Sequence, residues 1–221
     1  MLFRSLYAYG YSPYDLQLLA FSLSKEEVVD YMLPDNGFIR GEKLENYVNA
    51  KVKYTPIEKF PLPFMAVATN IQTGEELVFG RGNTGKAVRA SCSIPGVFNP
   101  VAIGDKTCVD GGVVSPVAID VARRFGADVV IAVDISSHLN ASTPRGTVET
   151  IMQAIDVMYN KIAQAQIKNA DIVIKPKVGH IGSSDFSRRH EAILEGEKAA
   201  TEAMPAINAL LFRLREEGRL P

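Results

Sequence analysis

Cysteine is scarce in this chain, with Cys92 and Cys108 the two examples in 221 residues. Neither stands in a C-x-x-C or other metal-ligand spacing, so the expectation is two reduced, buried thiols, which fits a cytoplasmic protein. Long apolar runs are also missing, and nothing approaches the roughly 20 residues needed to span a bilayer. The opening "MLFRSLYAYGYSPYDL" carries Arg4 as its one basic residue, and Pro13 and Asp15 end its apolar stretch early, which makes a poor signal peptide. Excess charge is absent too. A formal charge of -1 gives no electrostatic reason to expect nucleic acid or an anionic membrane as partner. Lysine and arginine are scattered, apart from the pairs Arg123-Arg124 and Arg188-Arg189, which read as solvated helix surface. There is no internal repeat, low-complexity tract or interdomain linker. The Asp and His residues show no metal-ligand spacing. "GRGNTGKA" resembles a phosphate loop only superficially, because Ala87 follows Lys86 where Ser or Thr is required.

What is present is ordinary globular material, 47% hydrophobic and 22% charged, enough to bury a large core in one domain over residues 1–221. Leu2 to Tyr9 reads as a helix stopped by Gly10. Ser12-Pro13 restarts a helix with an N-cap and a proline in its first turn, and Leu16, Leu19, Phe21 and Leu23 are expected as a buried stripe. Ser24 and Glu27 form a capping-box pair for a helix from Lys25 to Met32. Glu42 to Val52 is another helix. "PFMAVATNI" and "EELVFG", joined by Gln72-Thr73-Gly74, read as a β-hairpin. Thr84 to Cys92 is helical, and "VFNPVAI" with "KTCVD" makes a second strand pair that ends on Asp110. Pro116 to Phe125 is an amphipathic helix. "DVVIAVDI" and "ADIVIKP" read as strands buried on both faces, with a helix from Thr147 to about Gln166 between them. The C-terminus is one long helix, or two meeting at Pro205. Alternation of strands and helices predicts an α/β fold with a mainly parallel central sheet flanked by helices.

The chemistry concentrates in "TCVDGGVVSP", residues 107–116. Asp110 ends a strand and is followed by two glycines that can adopt positive φ, allowing a sharp turn and close approach of a substrate. Desolvation against Val109 and Val113 would raise the carboxyl pKa and make it a better base. The plainer alternative is that Asp-Gly-Gly is a turn and Asp110 caps a helix.

Residues 88–136 resemble the second half of a patatin-like phospholipase domain. The resemblance rests on the R-A-S-x-S-I-P-G-x-F-x-P pattern, which this chain follows from Arg89 to Pro100 with Cys92, Val97 and Asn99 at its variable positions. It rests also on the Asp-Gly-Gly after a short hairpin, and on the helix and apolar strand that follow. "LYAYGYSP", "GFIRGEKLENYV", "MAVATNIQTGE" and "ADIVIKPKVGHIGSSDFS" extend it over nearly the whole chain. The resemblance implies hydrolysis of a carboxylic ester in an acyl lipid by a serine-aspartate dyad, without cofactor. It assigns the catalytic aspartate to Asp110, with Gly111 and Gly112 completing the motif. Ile94, Pro95, Gly96 and Phe98 would border the acyl pocket. Expected partners are an acyl lipid or ester, a peripheral membrane contact, and further copies of the chain through an exposed sheet edge; nucleic acid is not among them.

Two parts of the family pattern do not carry over. No G-x-S-x-G and no glycine-rich oxyanion segment occur in the sequence. Ser12 in "GYSPY" reads as an N-cap, and Ser5 lies mid-helix. The match places Met1 just after the nucleophile elbow, so the expectation is a domain without its N-terminal strands, inactive by itself. The alternative is a non-catalytic relative that binds a lipid or a protein. His138, His180 and His190 read as loop or surface residues, Asp134 as a strand-end acid and Asp185 as the start of the last helix.

Overall fold

Antiparallel pairing organises the first half of the chain, in a computed structural model that describes residues 1–33, 37–136, 144, 146–182 and 185–220. Backbone contacts divide it into two compact units, Met1–Pro116 and Val117–Pro221.

In the first unit, helix α1 (Leu2–Tyr9) stops at Gly10, whose φ of 122° is unfavourable for other residues. Helix α2 (Pro13–Ser22) starts on a capping box. The Ser12 hydroxyl accepts from the Asp15 N–H at 3.1 Å, and the Asp15 carboxylate accepts from the Ser12 N–H at 3.2 Å. None of the ten residues of α2 is fully buried, so the expected stripe lies only partly covered. Helix α3 (Lys25–Val28) is shorter than the pattern suggests. Val29 is already extended, and the chain turns into bridging contacts between Tyr31 and Ile39. Helix α4 (Glu42–Lys51) packs against α5 (Thr84–Ser91), and the Gly85 N–H donates to Asn49 Oδ1 at 2.8 Å where they cross.

Four strands form one sheet in this unit: β1 (Ala66–Asn70), β2 (Glu76–Phe79), β3 (Val101–Ile103) and β4 (Lys106–Asp110). Their order is β2-β1-β4-β3 and every pairing is antiparallel. Helix α5 covers the sheet and buries Ala90 with Ala68, Leu77, Val101 and Cys108. Both hairpins expected from the sequence are present. The pairing that differs is β1 with β4, which joins the two hairpins antiparallel.

The second unit contains α6 (Ile119–Arg124), β5 (Ile131–Val133), α7 (Thr147–Gln166), β6 (Ile172–Ile174) and α8 (Arg189–Glu216), the last running through Pro205 as one helix. Strands β5 and β6 pair in parallel, the one parallel pair of strands among the described residues, beside an isolated parallel bridge between Ile39 and Phe98. A mainly parallel sheet therefore does not describe the pairing, and the supported statement is a mixed α/β architecture. Burial of β5 and β6 also differs from expectation. Ala132 faces a core with Ile119 and Val130, but Ile131 and Val133 are 42% and 41% exposed. Arg123 is more than solvated surface. Its guanidinium pairs with Asp171 and donates to the Ala127 and Asp128 carbonyls, tying the end of α6 to the start of β6. Arg188 pairs with Glu191 at the start of α8, and the Arg189 guanidinium lies 5.7 Å from the Phe186 ring centroid. No helix is long and apolar enough to cross a membrane among the described residues.

Candidate functional site

Asp110 closes β4 at the point where two neighbours fix its backbone. Its N–H donates to the Ser93 carbonyl at 2.8 Å. Its carbonyl accepts from the Thr69 hydroxyl at 3.0 Å, across the register in which Ala68 faces Asp110. Both partners are almost wholly buried, so the strand end has little freedom to move. The side chain then caps the short 3-10 turn Gly111–Val113, with Oδ1 accepting from the Gly112 N–H at 2.6 Å. The plainer reading of Asp-Gly-Gly as a capped turn is therefore present in the geometry, but it occupies one carboxylate oxygen.

The glycines act differently from the expectation. Neither Gly111 nor Gly112 has positive φ. Gly111 is needed for space: a Cβ there would stand 2.3 Å from the Val67 carbonyl oxygen, a backbone atom of β1. The motif glycine lets the turn lie directly on the neighbouring strand, which keeps Asp110 at the sheet's end.

Burial pushes the Asp110 carboxyl up to about 6 from an ordinary 3.8, against the opposing effects of the Gly112 hydrogen bond and the Met1 α-amino charge. A carboxylate with that value is mostly ionised at pH 7 and about a hundredfold more basic than a solvated one. The α-amino group of Met1 also lies near Cys92, whose thiol is pushed up, chiefly by burial. The start of α1, Cys92 and Asp110 thus share one neighbourhood. Because the Met1 charge holds the Asp110 value down, blocking that amine is expected to move it above 6. Carbon-13 NMR titration of the Asp110 carboxyl before and after Nα-acetylation checks this; a downward move would contradict the geometry.

The loop of Ile94, Pro95, Gly96 and Phe98 begins one residue after Ser93, whose carbonyl holds Asp110. Ile94, Pro95 and Phe98 are half-buried and Gly96 is exposed. The loop is pinned from outside, where the Phe38 and Ile39 N–H groups donate to the Val97 carbonyl at 2.9 and 3.0 Å. Arg89, the first residue of the specific block, pairs with Glu45 at 3.0 Å and donates to the Arg40 carbonyl. It joins α5 to α4 and fixes the helix from which this loop springs. Sequence reasoning assigns no role to Thr69 or Ser93, which hold Asp110, although Ser93 stands in the R-A-S-x-S-I-P-G-x-F-x-P pattern and Thr69 in "MAVATNIQTGE". In the sheet Thr69 faces Val109, one position from the residue that faces Asp110.

The other acids and hydroxyls are locally engaged. The Ser5 hydroxyl is fully buried and donates to the Leu2 carbonyl at 2.7 Å, and Ser12 caps α2. Asp134 is buried, accepts from the Ser136 N–H at 2.9 Å and lies 3.0 Å from the Lys175 ammonium. Burial alone would raise its pKa, but the hydrogen bonds from Ser136 and Lys175, with the lysine charge, leave it lowered. Asp185 caps the turn before α8. His180 is exposed and hydrogen-bonded to Glu191 at 2.7 Å. His138 lies outside the described residues. Among the described residues, no three His, Cys, Asp or Glu side chains gather in a way that could hold a metal ion.

Comparison with known proteins agrees with the motif. A family model for patatin-like phospholipases matches residues 5–123, a range that includes Asp110, Gly111 and Gly112. An uncharacterized NTE family protein of Mycobacterium tuberculosis is 28% identical over 211 residues, covering 84% of this chain and 36% of the relative. A second such protein of the same species is 34% identical over 109 residues, covering 49% of this chain and 30% of the relative. A lysophospholipase, NTE1, of Pyricularia oryzae is 23% identical over 220 residues, covering 87% of this chain and 14% of the relative. The chain thus spans about a third or less of the length of these relatives. With the family match running over more than half of its residues, the chain belongs to the patatin-like phospholipase family.

Proposed function

We propose that this chain is the greater part of a lipid acyl hydrolase domain, one domain over residues 1–221 lacking the family's N-terminal strands, and that Asp110 is its general base. The observation that carries the reading is the Asp110 carboxylate, half-buried, oriented through Oδ1 and close to the start of α1. The reaction requires a serine that the 221 residues do not hold in an elbow motif. Oδ2 takes the proton of that serine hydroxyl as its oxygen attacks the ester carbonyl, and returns it to the leaving alcohol. Asp110 then deprotonates the water that attacks the acyl-serine. Backbone N–H groups outside these residues would hold the oxyanion. No metal or organic cofactor takes part. The substrate class is a phospholipid or other acyl lipid, a reading supported by family membership and by a relative that carries the name lysophospholipase.

Ile94, Pro95, Gly96 and Phe98 would border the acyl chain, since the loop they form starts beside Asp110. The exposed Ile131, Val133 and Val173 on β5 and β6 would favour association with further copies of the chain.

A fluorophosphonate probe, which reacts with activated serines, tests the dyad. The 221-residue chain is expected to remain unlabelled, and the same chain carrying a family-type G-x-S-x-G segment ahead of Met1 to take up one equivalent on that serine. Labelling of the 221-residue chain at Ser5 or Ser12 would refute the assignment.

A further inference from the structure

A groove lies well apart from Asp110 in the sequence, at the far end of α1. Tyr9 and Tyr11 line it from the end of that helix, Leu18 and Leu19 from α2, and Lys51 and Lys53 from the end of α4, around an open depression of about 660 Å³. None of Asp110, Ser93 or Thr69 lines it.

Three features of its construction point in one direction. First, α2 is apolar and only partly covered. Asp15 is the one charge in its ten residues, none is fully buried, and Tyr14 and Leu18, one turn apart, are 67% and 50% exposed. The Tyr14–Leu18 side of the helix leaves apolar surface in water. Second, the aromatic rings are arranged with their polar tips engaged or exposed. The Tyr11 hydroxyl donates to the Lys51 carbonyl at 3.1 Å, Tyr9 packs edge-on against Phe60, and Tyr54, next to Lys53, is 72% exposed. Third, cations stand beside the apolar wall. Lys51 and Lys53 face one acid among the lining residues, Asp15, whose carboxylate is already engaged by the Ser12 N–H and hydroxyl. The Lys51 ammonium also lies 5.2 Å from the Tyr47 ring centroid. Apolar surface, tyrosine and lysine together match the acyl, interfacial and phosphate levels of a lipid monolayer.

We infer that the α1–α2 corner, with Leu18, Leu19, Lys51 and Lys53, is the surface by which this chain docks on an anionic lipid surface. The net charge of the whole chain does not reveal it, because the charge complementarity is local. The inference rests on the acyl-lipid reading above for its choice of partner, and adds where the lipid surface is met. A protein partner would be better served by a continuous apolar strip than by an apolar wall edged with lysines.

The sequence contains no tryptophan, so Leu18→Trp gives a single reporter in the groove wall on a silent background. Added to vesicles of phosphatidylcholine with phosphatidylglycerol, this variant is expected to shift its emission to the blue and to be quenched by brominated lipid. Lys51→Gln with Lys53→Gln should weaken partitioning about 30-fold, about fivefold per neutralised lysine, and added salt should weaken it further. Sedimentation of the unsubstituted chain with the same vesicles, against the double lysine variant, gives the same answer should Leu18→Trp fold poorly. Unchanged emission, or partitioning that ignores both lysines and salt, would overturn the inference. So would an absence of vesicle binding accompanied by a change of oligomeric mass in Leu18→Asp, since a second copy would then occupy the groove. Binding is read without turnover, so a failure of the dyad assignment leaves this outcome legible.

Discussion

Asp110→Asn is expected to make the 221-residue chain more stable at pH 8, by about 1–3 kcal/mol, and to leave it unchanged at pH 4. The carboxyl titrates at about 6 in the folded chain, because burial raises it from an ordinary 3.8. The folded state thus binds the proton more tightly than the unfolded state. Stability is lost as pH rises from about 4 through 6, and above that range the ionised group carries its full cost, about 3 kcal/mol. Asparagine has no charge to desolvate and still offers an oxygen to the Gly112 N–H. Urea unfolding at the two pH values checks the difference. A purely structural cap predicts the reverse, because the charge-assisted bond to Gly112 would be weakened and Asp110→Asn would destabilise at pH 8. A group retained at a cost to folding is one whose value lies elsewhere.

Gly111→Ala carries the second large effect, a loss of about 2–4 kcal/mol in urea unfolding. The added methyl would meet the Val67 carbonyl oxygen at 2.3 Å, and that atom belongs to the backbone of β1 rather than to a side chain that can turn away. Relief requires β1 and the 3-10 turn to part, which would also strain the bonds from Ser93 and Thr69 that hold Asp110. In the longer, nucleophile-bearing protein the same substitution should therefore lower kcat for an ester substrate as well as stability. Tolerance within about 0.5 kcal/mol would show that the close approach does not exist.

Local chemistry in this chain was readable wherever a short motif carries its own geometry. Gly10, the Ser12-Pro13-Asp15 start of α2, the Gln72-Thr73-Gly74 turn and the end of β4 on Asp110 all depend on residues within four positions of one another. Pairing direction does not. Antiparallel β1 and β4 meet through Ala68 and Asp110, far apart in the chain, and no periodicity records which way one hairpin lies against another. The apolar runs at β5 and β6 read as buried on both faces, since hydrophobicity shows what a strand would prefer to cover and not what covers it. α3 ended early for a related reason. The capping box at Ser24 and Glu27 specifies a beginning, and the bridge from Tyr31 to Ile39 imposed the end.

At the candidate site, Asp110 was found by its motif, and the role of Gly111 was misread. Positive φ is the usual reason for a glycine after an acid, whereas here the reason is the 2.3 Å approach to a strand reached only through the fold. Thr69 and Ser93 were given no role, although both lie in matched stretches, because they act through a hydroxyl and a carbonyl on backbone atoms, a role open to many residues of the sequence. The groove beside α2 escaped for the opposite reason, since an apolar stripe at helical spacing ordinarily means core.

The most direct measurement is ester turnover by the longer protein that carries the elbow serine, with Asp110 and with Asp110→Asn, across pH 4 to 9. The Asp110 form should show kcat/KM rising through an apparent pKa of about 6 or above, since burial raises the carboxyl and the Met1 ammonium that lowers it is an amide in the longer protein. In Asp110→Asn, folded and more stable at pH 8, turnover should fall by about a thousandfold or more and lose that inflection. Turnover in Asp110→Asn within tenfold of the parent, with the inflection intact, would contradict the account and place the base on another residue.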